Sequence, residues 1–277
     1  MAIIKAKHLG FCEGGRNSIN SVIELANQGE RVYVYGELLH NKSVIAKLEQ
    51  LGITFLEPNP DVKVDGKLVI RAHGISNKLK QKLALNNEIV DLTCPKVRKI
   101  HALSKFMESK GYHIAYLGKP GHPEAEGTLG NLTNATLVTS LEDVKAIPHE
   151  KLAFLAQSTA SLEEFNKIAN YLRAYKPSSV VFNTICDSTL KRQRSAAEVA
   201  ARVDLMVVVG GKNSANTRQL YEICKKHTTT IWIETPDEIL NYKEEIEKAN
   251  DIGLTAGAST PDEDIDTVFE RISKLNS

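Results

Sequence analysis

The chain has 277 residues, enough for one large core or for two to three small ones. Hydrophobic residues at 42% and charged residues at 25% are an ordinary balance for a globular protein, and a formal net charge of +1 offers no basic field for nucleic acid. Aromatics at 6% are too few for a base-stacking platform, and no apolar run of about 18 residues is present to cross a membrane.

Read in order, strand-like and helix-like runs alternate. AIIKAK is a strand leading towards Cys12, followed by a helix over 16–28 and the strand RVYVY. Asn41 can cap a helix over 42–51, ITFLE is a short strand, KLVIRA a strand, 75–85 a helix, and EIVDL a strand that leads to Cys94. The order then repeats: a helix over 95–110, the strand YHIAYLG, a Gly/Pro loop, a short helix over 124–130, the strand ATLVT, one helical turn at 143–146, the strand KLAFLAQ, a helix over 162–175, and SVVFNTI leading to Cys186. The last third reads as a helix over 188–202, DLMVVVGG, a helix over 217–226, TTIWIE, a polar stretch at 236–249 of ambiguous period, DIGLTAG, and a helix over 261–275. It stops one strand short of the pattern, and AIIKAK at the other end supplies that strand. The expectation is an α/β fold of three similar units, 13–94, 95–186 and 187–277 plus 1–12. Each has a parallel sheet with right-handed crossovers, the N-terminal strand completing the third.

Cys12, Cys94 and Cys186, roughly 80 and 90 residues apart, share one setting, with a strand before and a helix after. Pro95 suits the first position of a helix, and a cysteine at a helix N-terminus feels the positive end of the dipole, which favours thiolate. Three thiolates from three equivalent corners suit a metal centre, either zinc with a fourth ligand or an iron–sulfur cluster. Ligands this far apart favour the larger cofactor. The four cysteines lack the close spacing of a secreted disulfide framework, and MAIIKAKHLGF is too short and too charged for a signal peptide, so a cytoplasmic, reducing setting is expected. Cys224, mid-helix in LYEICKK, reads as core packing. The basic run KRQR at 191–194 reads as a solvated helix face, with docking of an acidic electron donor as the alternative.

Ligands of parallel α/β sheets bind beyond the C-terminal strand ends. After the first strand of each unit come His40–Asn41, Gly121–His122–Pro123–Glu124 and Asn213–Ser214–Ala215–Asn216; after the third come His73–Gly74, Ser158–Thr159 and Ser259–Thr260. Hydroxyls, amides and imidazoles beside helix N-termini suit a phosphate or diphosphate, but no Walker A loop and no G-x-G-x-x-G specifies a nucleotide. Glu124, the carboxylate of these loops, is the candidate for proton transfer.

The motifs GFC, YGELLHN, RAHG, DLTCP, GHPEAEGT, QST, TIC, GGKNSAN and TAGAST, in this order over nearly the whole chain, resemble the 4-hydroxy-3-methylbut-2-enyl diphosphate reductase family, LytB/IspH. The resemblance implies a trefoil of three α/β units around one 4Fe–4S cluster per chain, ligated by Cys12, Cys94 and Cys186. It implies a diphosphate held by His40, His73, Ser214, Asn216 and Ser259 with His122 nearby, a proton path through Glu124, and Thr159 on the substrate hydroxyl. The implied reaction is reductive dehydroxylation of 4-hydroxy-3-methylbut-2-enyl diphosphate to isopentenyl and dimethylallyl diphosphate, the last step of the non-mevalonate isoprenoid pathway. The substrate oxygen would bind at the cluster's open iron, and ferredoxin or flavodoxin would supply electrons. Ala215 departs from the family, which usually places a second serine there. A monomer is expected, because no apolar helix face is left over. From the residues alone two other readings stand beside the reductase. One is an iron–sulfur hydro-lyase; the other is a non-enzymatic iron–sulfur or zinc sensor of a phosphorylated ligand, which has no need of Glu124 and Thr159.

Overall fold

The computed structural model describes residues 2–39 and 41–275. His40, expected among the diphosphate ligands, lies outside the described residues. In chain order the first third holds β1 (Ala2–Lys5), α1 (Glu13–Asn27), β2 (Val32–Tyr35), α2 (Lys42–Gln50), β3 (Thr54–Leu56), β4 (Lys67–Ile70), α3 (Asn77–Ala84) and β5 (Glu88–Asp91). Then come α4 (Pro95–Ser109), β6 (His113–Leu117), α5 (Pro123–Leu129), β7 (Ala135–Val138), α6 (Leu141–Ala146), β8 (Leu152–Ala156), α7 (Leu162–Tyr175) and β9 (Val180–Val181). The last third holds α8 (Asp187–Ala200), β10 (Leu205–Val209), α9 (Ala215–Lys225), β11 (Thr229–Ile233), a 3-10 helix at Pro236–Tyr242, α10 (Lys243–Lys248), β12 (Asp251–Ala256) and α11 (Asp262–Leu275).

The described strands form three four-stranded sheets, in the orders β3-β2-β4-β5, β7-β6-β8-β9 and β1-β12-β10-β11, with every pairing parallel. The N-terminal strand joins the third sheet as expected, Ala2 opposite Asp251 and Lys5 opposite Leu254. In each sheet the first and third strands of the repeat are neighbours, and the second lies on the far side of the first. The topological switch point therefore falls between the two strands whose ends carry the His, Ser, Thr and Asn loops.

Local chemistry accounts for where the elements begin and stop. The helix expected from residue 16 starts at Glu13, directly behind Cys12, because the Arg16 N–H already bonds the Cys12 carbonyl at 2.9 Å. α3 starts two residues later than its apolar period suggests, since Ser76 caps it by accepting the Leu79 N–H at 3.3 Å. The single turn at 143–146 extends to α6 through a Ser140/Asp143 capping box. The ambiguous 236–249 stretch becomes the 3-10 helix and α10, opened by a second capping box between Thr235 and Glu238. β9, expected over 179–185, is two residues long. Past it the Thr184 hydroxyl replaces the ladder, accepting the Ala156 N–H at 2.8 Å and donating to the Ala156 carbonyl at 2.6 Å.

The chain divides into two compact units. One comprises Met1–Arg16, Leu39–Leu48 and Asp187–Ser277 and holds the β1-β12-β10-β11 sheet. β10 is buried along its whole length, as a parallel strand covered on both faces must be. One face of the sheet packs Val207, Ile233, Leu254, Val268 and Ile272, the other Met206, Val208, Ala196, Leu220 and Cys224. The acidic start of α11 anchors chain from the first third: Asp262 pairs with Arg16, Glu263 with Lys47, and Asp264 accepts from Ser43. The other unit, Asn17–Leu38 and Glu49–Cys186, holds the remaining two sheets, with cores around Leu68, Ile70 and Leu83 and around Ile114, Tyr116 and Leu155.

Candidate active site

The cysteines occupy one repeated position. The Cys12 N–H donates to the Ala258 carbonyl at 3.1 Å, Cys94 to Ala72 at 3.0 Å, and Cys186 to Ser158 at 3.0 Å. Each acceptor lies two residues beyond the last residue of β12, β4 or β8. A helix begins at the next residue in every case, α1, α4 or α8, and the three cysteines are half-buried and outside any disulfide. At the Cys12 corner the Gly15 N–H also points at the sulfur, 3.2 Å from Sγ. Cys224 is a different environment, 0% exposed, where burial pushes the thiol up to about 12. It is core, as its sequence context implies.

In the unit 17–38 plus 49–186 the expected residues form one connected path. Ala72, which receives Cys94, precedes His73. The His73 and His122 rings meet edge-on with centroids 5.3 Å apart. His122 is the N-cap of α5, its Nδ1 accepting the Glu124 N–H at 3.2 Å, so the neutral ring carries its proton on Nε2. The Glu124 carboxylate accepts the Ser158 N–H at 2.7 Å and the Tyr116 hydroxyl at 3.3 Å on Oε1, and the Ser158 hydroxyl at 2.6 Å on Oε2. Ser158 in turn receives the Cys186 N–H. The path thus runs Cys94, His73, His122, Glu124, Ser158, Cys186.

Glu124 is only 1% exposed, and burial raises its carboxyl above the ordinary value against the pull of the Ser158 and Tyr116 donors. A carboxyl whose hold on its proton is strengthened by burial, beside hydroxyls, is equipped to deliver protons. Thr159, expected to serve the substrate hydroxyl, has its own hydroxyl 2.8 Å from the Gln157 amide Nε2, which donates to it. The carboxylate's partner is Ser158, which sequence reasoning placed in the loop without a role. Aligning the three repeats offers a signal: Ala72, Ser158 and Ala258 are equivalent, and only the second carries a hydroxyl.

In the other unit Ser214 caps α9, accepting the Thr217 N–H at 3.2 Å. Thr217 wedges between the two glycine loops: a Cβ on Gly257 would come within 2.1 Å of its Oγ1, and one on Gly210 within 2.8 Å. Only glycine lets GGKNSAN and AGAST close on the start of α9. Ser259 is buried one residue past Ala258, the acceptor of Cys12. Asn216 is 4% exposed, and neither its Oδ1 nor its Nδ2 meets a hydrogen-bond partner among the described residues. Such an amide is costly unless a ligand engages it. Asn216→Leu is expected to stabilise the ligand-free protein by about 1–3 kcal/mol while weakening pyrophosphate binding by about 1.5–3 kcal/mol. Urea unfolding and calorimetric titration check the two halves; unchanged pyrophosphate affinity would remove Asn216 from the anion site.

Three soft sulfur donors, each at a helix start, fit an iron–sulfur cluster or zinc by their chemistry. Among the described residues no three His, Cys, Asp or Glu side chains are grouped so as to hold a single metal ion, so the fit rests on the donor set. KRQR departs from a solvated face: Arg192 and Gln193 are each 4% exposed, and the Arg192 Nε donates to the Gly10 carbonyl at 3.1 Å.

Comparison with known proteins places the chain among its relatives. The chain is 36% identical to 4-hydroxy-3-methylbut-2-enyl diphosphate reductase of Pseudothermotoga lettingae, covering 98% of each, and 39% identical to the enzyme of that name from Caldanaerobacter subterraneus subsp. tengcongensis, covering 99% of this chain and 98% of that one. Among solved structures it is similar to the E-1-hydroxy-2-methyl-but-2-enyl-4-diphosphate reductase of Plasmodium falciparum, with a TM-score of 0.93 at 26% identity over 99% of this chain and 89% of that one. It is also similar to an (E)-4-hydroxy-3-methyl-but-2-enyl diphosphate reductase described as the terminal enzyme of the non-mevalonate pathway, with a TM-score of 0.70 at 34% identity over 99% and 100%. The LytB protein family matches residues 3–273. All three cysteine corners and all six strand-end loops fall inside that span, and the chain belongs to the LytB protein family.

Proposed function

We propose that this chain removes the hydroxyl of 4-hydroxy-3-methylbut-2-enyl diphosphate reductively, giving isopentenyl and dimethylallyl diphosphate. The observation that carries the proposal is the path from Cys94 through His73, His122, Glu124 and Ser158 to Cys186, which sets a buried proton donor between two cysteine corners. Cys12, Cys94 and Cys186 would hold one 4Fe–4S cluster, which when bound supplies electrons one at a time and a Lewis acid. His40, His73, His122, Ser214, Asn216 and Ser259 would hold the diphosphate, the imidazole and amide N–H groups donating to its oxygens. Ferredoxin or flavodoxin would be the donor. The working form would be a cytoplasmic monomer of three repeats, 13–94, 95–186 and 187–277 plus 1–12.

Glu124 and Ser158 divide the proton work. With Glu124 ionised, the Ser158 hydroxyl donates to Oε2. With Glu124 protonated, that bond can reverse, and the half-buried Ser158 is then free to donate to the leaving hydroxyl of the substrate. The carboxyl itself is covered, so the proton exits through Ser158. Two electrons and two protons are consumed: the C–O bond breaks, oxygen leaves as water, and the second proton adds to carbon. Ser158→Ala is expected to lower kcat about 10–100-fold. Losing a donor to the carboxylate raises the Glu124 value further, so the pH–rate profile should move to higher pH. An unmoved profile would leave Ser158 a structural role only.

The defining test is anaerobic. Reconstituted protein is given the allylic diphosphate with and without a reduced viologen, and products are identified. Dye oxidation with formation of the two five-carbon diphosphates supports the reductase; product without reductant would mean a hydro-lyase, and binding without turnover a sensor.

A further inference from the structure

The reductase reading requires two electrons from outside, and the sequence carries no nucleotide-binding motif to supply them. A point of entry must therefore exist close to the thiolates. In the unit 1–16, 39–48 and 187–277, a cleft of about 200 Å³ is lined by Lys7, His8 and Phe11 on one wall and by Ser188, Lys191 and Arg192 on the other. Phe11 is bonded to Cys12, and Ser188 stands two residues after Cys186. The cleft is thus built from the chain immediately flanking two of the three cysteines. Lys7 and Lys191 are exposed, and among the described residues no carboxylate lines the cleft. On a chain whose net charge is only +1, this is a local concentration of positive charge.

The walls are also fixed. The buried Arg192 guanidinium donates to the Gly10 carbonyl at 3.1 Å and to the Ser188 carbonyl at 2.9 Å, tying the 7–11 loop to the start of α8. The His8 N–H donates to the Ser195 hydroxyl at 3.2 Å, a second tie between the same two segments. A rigid basic cleft beside cysteine ligands suits transient docking, where complementary charge sets encounter rate more than affinity.

We propose that this cleft is the docking surface for a small acidic one-electron carrier protein, with Lys7 and Lys191 facing its carboxylates. The proposal rests on the reductase reading. Each turnover consumes two reduced carriers, each giving up one electron, as the substrate C–O bond breaks and oxygen leaves as water with two protons taken up in all.

The test uses the cluster-loaded protein with charge reversals at both positions, Lys7→Glu with Lys191→Glu. The control reverses Lys78 and Lys105, which line a second basic cleft of about 500 Å³ between α3 and α4 in the other unit. Binding of an acidic ferredoxin is measured by titration at low and high salt, and turnover is driven either by that ferredoxin or by a reduced viologen, which needs no docking surface. The Lys7/Lys191 variant is expected to weaken ferredoxin binding about tenfold, flatten its salt dependence and lower ferredoxin-driven kcat/KM about tenfold. Viologen-driven turnover and the Lys78/Lys105 control should stay at wild-type values. Unchanged ferredoxin binding in the Lys7/Lys191 variant, or equal weakening in the control, overturns the docking surface while leaving the reductase in place. Absence of viologen-driven turnover in the wild-type protein overturns the reductase reading, and the docking surface with it.

Discussion

Glu124→Gln is expected to lower kcat about 10²–10⁴-fold while leaving the fold and diphosphate binding intact. The amide preserves the bonding pattern. Its oxygen can take the Ser158 N–H that now reaches Oε1 at 2.7 Å, and its NH₂ can donate to the Ser158 hydroxyl that now lies 2.6 Å from Oε2. What it cannot do is release a proton. Stability gives an independent reading of the same group. Burial raises the Glu124 carboxyl above its unfolded value. Between the unfolded and folded values the folded protein therefore binds more protons than the unfolded chain, so stability falls as pH rises through that window. Glutamine has no such fall. The variant should be more stable than wild type at neutral pH, with the gain vanishing as pH drops to the unfolded carboxylate value of about 4.3. Urea midpoints at neutral and acid pH measure this directly. A near-wild-type kcat would take Glu124 out of the proton path, and a pH-independent stability difference would mean that its burial does not penalise the charge.

The repeat was legible because its signals are local. β8 and β10 are covered on both faces and read as unbroken apolar runs, while Asn41 announces the start of α2 through its own side chain; α9, expected from 217, starts at Ala215 because Ser214 caps it. The cyclic closure of the third sheet by β1 followed from counting strands, since a parallel sheet one strand short must find its partner elsewhere in the chain. What the sequence left open depends on contacts between distant residues. That Ser158 and not Thr159 meets Glu124 is set by a one-residue register at the end of β8, fixed by the Cys186 N–H on the Ser158 carbonyl. A neighbouring serine and threonine are alike to any pattern argument. Arg192 misled for a similar reason. Within a charged run on a helix it reads as solvated, and the Gly10 carbonyl, brought to it by the fold, joins the Ser188 carbonyl of its own helix in making a buried guanidinium tolerable.

Cys94→Ser is expected to abolish cluster loading and turnover without harming the fold. A hydroxyl is a harder and less acidic donor than a thiol and does not replace thiolate on iron in a three-ligand site. Position 94 is the N-cap of α4, and the thiol makes no capping bond there. A serine hydroxyl can accept one, so the cluster-free variant should be as stable as cluster-free wild type, or more so by up to about 1 kcal/mol. Cys224→Ser should give the mirror image. That thiol is fully buried beside Leu220, Ala196 and Val208, and burial holds it protonated with a value of about 12. Serine there buries a hydroxyl among aliphatic groups at a cost of about 1–3 kcal/mol, with iron content unchanged. Iron and acid-labile sulfide assays beside thermal unfolding separate the two cysteines: one governs metal and not stability, the other stability and not metal. Wild-type iron content in Cys94→Ser would dismantle the three-cysteine centre. Loss of iron in Cys224→Ser, with folding intact, would move the fourth cysteine from the core to the cofactor.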